Sequence, residues 1–452
     1  MPKQSYILWS AQEEDNKMIN NTSQLSTNSP EFSGDALAYG MDGAIGLKRH
    51  SHRTLNLKGS YFSYYLTFNF YYMAMSLFSA LISVYLIGLG YAASRASLVV
   101  SVSFLASMAA QPWIGSLADR YGSKVVSVWL FIGASQGGVI FLFCRSLMML
   151  MLFYSLVMVL LNGANPMIEK MATGSPYSYG KIRIWGTIGA ALGTQMAGYL
   201  YDAVSPSSIF VAFVFSMLLC IWGVCLVANP KSNSQRDSKK SQRAKSSAAS
   251  GRKEKKGTLQ LLSNRKYVYY LVVYGLFMGV TAAGNTFIPS LLTHAGLPAS
   301  QASVVLSVAI MVQLPLVLYA GKFMDRLTSK FLLLMAIGIS LSQNLVYGLS
   351  LPVNVMVGVA MMTKTIGIML MIMINLKVVS SLVPASSQMR ALAFAASINY
   401  LASILFNAIT GLLVDRWGYA FAFLVLSAAL VMAFVLVVFF RLPAGTDQKL
   451  FS

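Results

Sequence analysis

A succession of apolar segments, each long enough to cross a bilayer, constrains this chain most. The hydrocarbon core of a bilayer is ~30 Å thick, and an α-helix crosses it with about 20 residues. Charged residues make up only 11% of the 452 residues, whereas soluble proteins carry about 25%. Most of the segments also lack the polar face that helices of a large soluble protein would show. The sequence therefore predicts an all-α membrane protein.

The apolar segments predict twelve transmembrane helices. Their approximate bounds are 62–87, 95–115, 125–143, 147–169, 179–200, 206–228, 267–292, 300–321, 331–350, 353–377, 388–412 and 419–441. We expect the seventh and tenth spans to be the least regular, because they contain Gly284, Pro289 and Lys364.

The distribution of positive charge predicts the topology. With a cytoplasmic N-terminus, nearly all of the 34 lysines and arginines fall in cytoplasmic segments. Only Arg95, Arg145 and Arg416 fall on the other side, and Lys364 lies in mid-span. We expect a multi-pass protein of the plasma membrane with both termini in the cytoplasm. The net charge of +20 then reflects topology, and no nucleic-acid partner is expected.

A decapeptide occurs twice, between spans 2 and 3 and between spans 8 and 9. Residues 115–124 read GSLADRYGSK and residues 321–330 read GKFMDRLTSK, with Gly, Asp, Arg and Lys at the same offsets. Three further pairs recur at nearly the same separation: Arg183 with Arg390, Gly198 with Gly411, and Asp202 with Asp415. Such repetition is typical of two six-helix bundles that arose by duplication.

The predicted organisation has five parts. These are a disordered cytoplasmic tail (1–60), an N-terminal six-helix bundle (61–228), a basic cytoplasmic linker (229–266), a C-terminal six-helix bundle (267–441) and a cytoplasmic tail (442–452). The linker carries 12 lysines and arginines against Asp237 and Glu254. It is either a solvated connection beside an anionic leaflet or a site of lipid regulation.

The repeated decapeptide resembles the loop signature of the major facilitator superfamily, and the resemblance covers about residues 60–441. It implies two pseudo-symmetric six-helix bundles, with spans 1, 4, 7 and 10 lining a central cavity. It also implies that the two loops latch the cytoplasmic side when the opposite side is open. The latch residues would be Gly115, Asp119, Arg120, Gly321, Asp325 and Arg326.

Helix electrostatics explains how such a latch would work. An aspartate at a span end can accept hydrogen bonds from the exposed N–H groups of a helix that starts in the other bundle. Asp119 would face the start of span 11, and Asp325 would face the start of span 5. The alternative is a positively charged loop that only fixes topology.

The corner between spans 4 and 5 has a narrower resemblance. Residues 168–170 and 179–189 resemble the oligosaccharide and nucleoside proton symporters, and in a galactoside-binding member of that branch the arginine that matches Arg183 binds the sugar. Asn165 and Ala190 replace the glutamate and tryptophan of the galactoside-binding members. We therefore expect the fold of that branch without its galactoside specificity.

Carboxylates are scarce in the spans, which limits the candidates for coupling to an ion. Once the latch aspartates are set aside, Glu169 is the acidic residue that can face a cavity, and we take it as the coupling candidate. The alternative is a structural ion pair with Arg183, Lys181 or Arg120.

Lys364 is the one charged residue in the middle of a predicted span. A charge at the bilayer centre costs ~2.5–3.5 kcal/mol on insertion scales, so it should face the cavity. There it would bind an anionic group or carry a proton, unless it snorkels or bonds a carbonyl. The candidate substrate-binding residues are Arg183, Lys364, Asn69, Asn165 and Asn285. For each asparagine the alternative is an interhelical hydrogen bond.

These patterns predict a secondary active or facilitative transporter of a small polar solute that works by alternating access. The first choice is a transporter of an organic anion. The alternative is an exporter of a sugar, a nucleoside or a drug. A receptor that binds solute without moving it is the alternative class. No enzyme, cofactor or metal site is expected, because the three histidines form no catalytic constellation. The expected partners are the solute, a coupling ion and the lipid bilayer.

Overall fold

The structure is a computed structural model that describes residues 59–227, 264–319, 326–383 and 387–440. Within these ranges all regular secondary structure is helical. The predicted tails, the basic linker, Gly321 and Asp325 lie wholly or almost wholly outside them. The domain boundaries that depend on those segments therefore remain predictions.

In the described part of the chain, twelve helices form two bundles of six, which confirms the predicted fold class. The N-terminal bundle contains α1 (Tyr61–Gly88), α2 (Ala93–Tyr121), α3 (Ser123–Phe143), α4 (Leu147–Thr173), α5 (Tyr179–Ala203) and α6 (Ser208–Leu226). The C-terminal bundle contains α7 (Arg265–His294), α8 (Ala299–Leu318), α9 (Ser329–Gly348), α10 (Val353–Leu382), α11 (388–417) and α12 (419–439).

The last two helices follow one another without a loop. The chain turns at Gly418, whose φ of 78° and ψ of 175° are non-helical. Glycine adopts a positive φ at no steric cost, so it allows this abrupt change of direction. In the described ranges ten segments are apolar and long enough to cross a membrane, with α11 and α12 counted as one. The glycine-rich α5 is the remaining span.

Two spans are interrupted within the described ranges, and only one of these interruptions was predicted. α10 breaks between Thr363 and Ile366, at Lys364 as expected, whereas α1 breaks unexpectedly between Ser79 and Ile82. The predicted irregularity of α7 is wrong, since one helix runs through Pro289. Most of α7 is buried among other helices, and neighbouring helices can accommodate the backbone groups that a proline frees.

The lysine of the repeated decapeptide has the same structural role in both bundles. Lys124 Nζ, at the start of α3, donates to the Cys225 carbonyl oxygen at 2.9 Å, at the end of α6. Lys330 Nζ, at the start of α9, donates to the Val438 carbonyl oxygen at 2.7 Å, at the end of α12. A cation satisfies the last carbonyls of a helix and favours its negative end. The duplication is thus visible as two equivalent C-terminal caps.

Candidate functional site

A cavity of about 470 Å³, lined by apolar and polar side chains, lies between the two bundles. Helices of both bundles contribute to its wall, and both helix interruptions border it, since Ala80 and Lys364 are lining residues. Its polar lining includes Ser103, Asn162, Asn285, Lys364, Asn399 and Ser403. A volume in this range matches the binding sites of small molecules.

Lys364 supplies the charge of this cavity. Its side chain makes no hydrogen bond and no ion pair with any described residue. No acidic side chain lies among the described residues that line the cavity. The cavity wall therefore carries an uncompensated ammonium group, surrounded by amides, hydroxyls and apolar side chains.

Asparagines from three helices join Lys364 in the cavity wall. Asn285 lies on α7, as the sequence predicted for a binding candidate, while Asn399 lies on α11. Asn162 on α4 was not predicted as a binding residue. The signal that would have found it is spacing, because Tyr154, Met158 and Asn162 follow one another at four-residue intervals and all line the cavity.

The other predicted binding residues lie elsewhere. Arg183 Nη1 is 3.0 Å from Glu169 Oε1, so the two form an ion pair between α5 and α4. The guanidinium carbon also lies 4.6 Å from the centre of the Tyr72 ring. Tyr72 and Tyr179 each donate a hydroxyl hydrogen bond of 2.7 Å to the Glu169 carboxylate, one to each oxygen.

This group forms a polar site within the N-terminal bundle. Asn165 belongs to it, since its amide oxygen lies 3.3 Å from the Tyr72 hydroxyl. Asn69 is buried in α1, and its backbone carbonyl oxygen packs against Gly189 of α5. Arg183, Asn165 and Asn69 do not line the 470 Å³ cavity. The structure thus separates Lys364 and Asn285 from the other candidates, and the charge of Arg183 is offset by Glu169.

The seam between the bundles is closed at one end by α5 and α8. We name this the Asp202 end and the opposite one the Asp119 end. The Asp202 carboxylate accepts a hydrogen bond of 2.6 Å from the Ser300 N–H, at the start of α8. Four residues earlier, a Cβ on Gly198 would lie 2.5 Å from the Ala299 carbonyl oxygen. Only glycine allows this approach without displacing the backbone of α8.

An equivalent contact joins α11 to α2 at the same end. The Asp415 carboxylate accepts hydrogen bonds of 2.8 Å from the Ala93 N–H and 2.9 Å from the Ser94 N–H, in the first turn of α2. Gly411 again lies four residues earlier, and a Cβ there would collide with Ser97. The repeated pairs Gly198–Asp202 and Gly411–Asp415 are therefore two copies of one interbundle contact.

Within the described ranges, the Asp119 half of the predicted latch is not formed. Asp119 and Arg120 are exposed, and the Asp119 carboxylate has no hydrogen-bond partner among the described residues. Apart from Gly115 itself, its chain neighbours and the adjacent backbone of its own helix, no described atom lies within 4 Å of the place that a Cβ on Gly115 would occupy. Arg326 is exposed, and Gly321 and Asp325 lie outside the described residues. The predicted latch stays a prediction.

The chain matches the Major Facilitator Superfamily over residues 64–385. The chain belongs to this superfamily. It is 24% identical to a maltose permease of Geobacillus stearothermophilus over 337 residues, which are 73% of this chain and 81% of that protein. It is 29% identical to the multidrug resistance protein MdtG of Rahnella sp. (strain Y9602) over 128 residues, which are 27% of this chain and 31% of that protein.

A solved structure shows the same superfamily fold. The crystal structure of the nucleoside transporter NupG aligns with a TM-score of 0.67 at 16% identity, over 84% of this chain and 97% of that one. The predicted family and the predicted class, a membrane transporter rather than an enzyme, are confirmed. These comparisons give no support to the alternative of a solute receptor.

Proposed function

We propose that this superfamily member carries a small polar solute, with organic anions preferred, by alternating access across the plasma membrane, with both termini in the cytoplasm. Transport is secondary active or facilitative. The observation that carries the anionic preference is Lys364, which lines the central cavity and has no partner of opposite charge among the described residues.

The charge of Lys364 lies at the interruption of a membrane-spanning helix. An unpaired charge inside a membrane is costly, so its retention needs a compensating interaction at some stage of the cycle. An anionic group on the solute supplies that interaction, and near Lys364 it would be attracted by ~4 kcal/mol at 4 Å in a medium of intermediate polarity. Asn285 and Asn399 lie in the same wall and offer hydrogen bonds that orient the solute.

A sugar, nucleoside or drug is the second candidate class. The maltose permease, the nucleoside transporter NupG and the multidrug resistance protein are named for solutes of these kinds, and this similarity supports the second class. The amides and hydroxyls of the cavity wall suit hydroxyl-rich solutes equally well. The two classes differ in whether the positive charge of Lys364 is needed.

Uptake into proteoliposomes tests this proposal. Labelled organic acids, sugars and nucleosides are compared in the parent and in the variants Lys364→Met, which removes the charge, and Lys364→Arg, which keeps it. Ile368→Leu serves as a control, because Ile368 lines the same cavity without a charge. We expect organic-acid uptake that falls at least tenfold in Lys364→Met and is retained in the other two. Equal organic-acid uptake in the parent and Lys364→Met, or uptake of neutral solutes alone, contradicts the anionic preference.

We further propose that Glu169 is the residue through which a proton gradient would act. Its carboxylate is bound by Tyr72, Tyr179 and Arg183, so protonation would weaken three contacts that tie α4 to α1 and α5. A proton gradient should accelerate uptake by the parent and not by Glu169→Gln. Equal acceleration of both excludes Glu169 from coupling.

A further inference from the structure

A second and much smaller pocket lies next to Lys364. It has a volume of about 20 Å³ and is enclosed by α7, α9 and α10. Asn285 and Lys364 line both this pocket and the central cavity, while Ser340, Gln343 and Asn344 line the small pocket alone. About 10–15 Å³ is enough for one water-sized group. The pocket therefore fits a water molecule or an ammonium group, and it is too small for a solute.

One wall of the small pocket holds a hydrogen-bond acceptor without a donor. Asn344 is 7% exposed, and its Nδ2 donates to the Ser340 carbonyl oxygen at 2.7 Å. Its Oδ1 is buried and has no hydrogen-bond partner among the described residues. Leaving a buried acceptor unpaired is unfavourable, so a donor is expected to reach it at some stage.

Lys364 is the matching donor in the same wall. Its ammonium group has three N–H donors and no partner among the described residues. It sits at the interruption of α10, on a flexible four-carbon stem. No other charged side chain lines the small pocket within the described ranges. A free cation there would be repelled by the ammonium, which leaves the lysine as the cation that fits.

We propose that the small pocket is a resting site for the Lys364 ammonium. In the solute-free protein Nζ enters the pocket and donates to Asn344 Oδ1, and an anionic solute draws it back into the central cavity. Asn344 is then a positioning residue that competes with solute for Lys364. The docking step stands by itself, whereas the exchange with solute rests on the proposed function.

A double-mutant cycle on thermal stability, in detergent and without solute, tests the docking. The cycle uses Asn344→Leu, Lys364→Met and the double variant. We expect Asn344→Leu to lower Tm by several degrees in the parent. In the Lys364→Met background it should leave Tm unchanged or raise it, because it removes an acceptor that no longer has a donor. Equal effects in both backgrounds overturn the proposal.

Asn407 of α11 provides a matched control. It is fully buried, its Nδ2 donates to the Ser403 carbonyl oxygen at 2.8 Å, and its Oδ1 is also unpaired among the described residues. It lines neither pocket. Asn407→Leu should therefore change Tm equally with and without Lys364. Coupling of Asn407 to Lys364 as large as that of Asn344 overturns the assignment to this pocket.

A charged variant gives an independent readout. Asn344→Asp places a carboxylate where the ammonium is proposed to dock, so it should be tolerated in the parent and strongly destabilising with Lys364→Met. Equal destabilisation in both overturns the docking. If the cycle shows coupling while organic-acid uptake is unaffected by Lys364→Met, the resting site stands and the anionic preference fails. If uptake depends on Lys364 while the cycle is additive, the resting site alone is overturned.

Discussion

Side chains from two other helices bind Glu169. This arrangement matches the alternative of a structural ion pair. Tyr72 comes from α1, and Tyr179 and Arg183 come from α5. The sequence left Lys181, Arg120 and Arg183 open as ionic partners. Within the described residues the ion pair is with Arg183, because the first turns of α5 place that side chain, and not the exposed Lys181, against α4.

We predict that Glu169→Gln lowers the free energy of unfolding by about 1.5–3 kcal/mol, since it weakens hydrogen bonds to a charged group and leaves Arg183 half-buried without its partner. The change is measured as a fall in Tm. Lys181→Gln is the control and should be neutral. A Glu169→Gln protein as stable as the Lys181→Gln protein would show that the pair adds nothing to stability.

Single residues were predictable where their chemistry conflicts with their surroundings. Lys364 was placed in the cavity wall because a charge in an apolar span must avoid lipid. Asn69 is a candidate because the family resemblance places span 1 at the cavity, and it is buried between α1 and α5 instead. The resemblance indicates which helices line the cavity, but the neighbour that covers each face of a helix depends on the packing of helices distant in sequence.

At the level of helices, one short sequence pattern occurs four times, and three of its copies lie at the ends of described helices. A glycine followed four residues later by an aspartate occurs at 115–119, 198–202, 321–325 and 411–415. The copies on α5 and α11 engage the first turns of α8 and α2. The α2 copy is disengaged, and the α8 copy lies outside the described residues. We propose that the α5–α8 pair and the α2–α11 pair each carry one such contact at both of their ends.

We predict that Gly198→Leu and Gly411→Leu disfavour the conformation described here, because their side chains would collide with α8 and α2. Gly115→Leu is the matched variant and should be tolerated in this conformation, since its surroundings are open. The effect is measured as the labelling rate of a single cysteine placed at Thr286, which lines the cavity beyond the contacts of the Asp202 end. This rate should increase in Gly198→Leu and Gly411→Leu and should not increase in Gly115→Leu. The same labelling rate in all four proteins would remove the steric argument.

The two lysine caps predict a second effect at this scale. Lys124→Met or Lys330→Met removes a cation from the C-terminal end of α6 or α12, and each should cost about 1 kcal/mol of stability. The exposed Lys266 of α7 supplies the control variant, Lys266→Met. Melting curves should show two similar losses in the decapeptide variants. A loss in one half only would argue against equivalent roles.

The sequence predicted the position of most helices, since hydropathy and length decide whether a segment spans a bilayer. It did not predict the interruption of α1 at Ala80–Leu81, because that segment is apolar and contains no proline or glycine at the break. The repeats Gly198–Asp202 and Gly411–Asp415 were visible, but their role became clear only when α8 and α2 were seen to begin beside them.

At the scale of the whole molecule, the described contacts form a gate at one end of the cavity. Asp202 and Asp415 join the bundles at this end, and Ser83 of α1 adds a hydrogen bond to the Thr286 carbonyl of α7. Asp119, at the other end, makes no hydrogen bond or ion pair with the described residues of the second bundle. We propose that transport alternates between this arrangement and one in which the Asp119 end closes.

Distances between spin labels at both ends test that claim most directly. One pair joins Val204 to Leu349 at the Asp202 end, and the other joins Tyr121 to Phe331 at the Asp119 end; all four side chains are exposed. In lipid, Asp202→Ala combined with Asp415→Ala removes the charged contacts of the closed gate. We predict that the first distance then increases while the second decreases. Two unchanged distances, or two that increase together, would contradict the account.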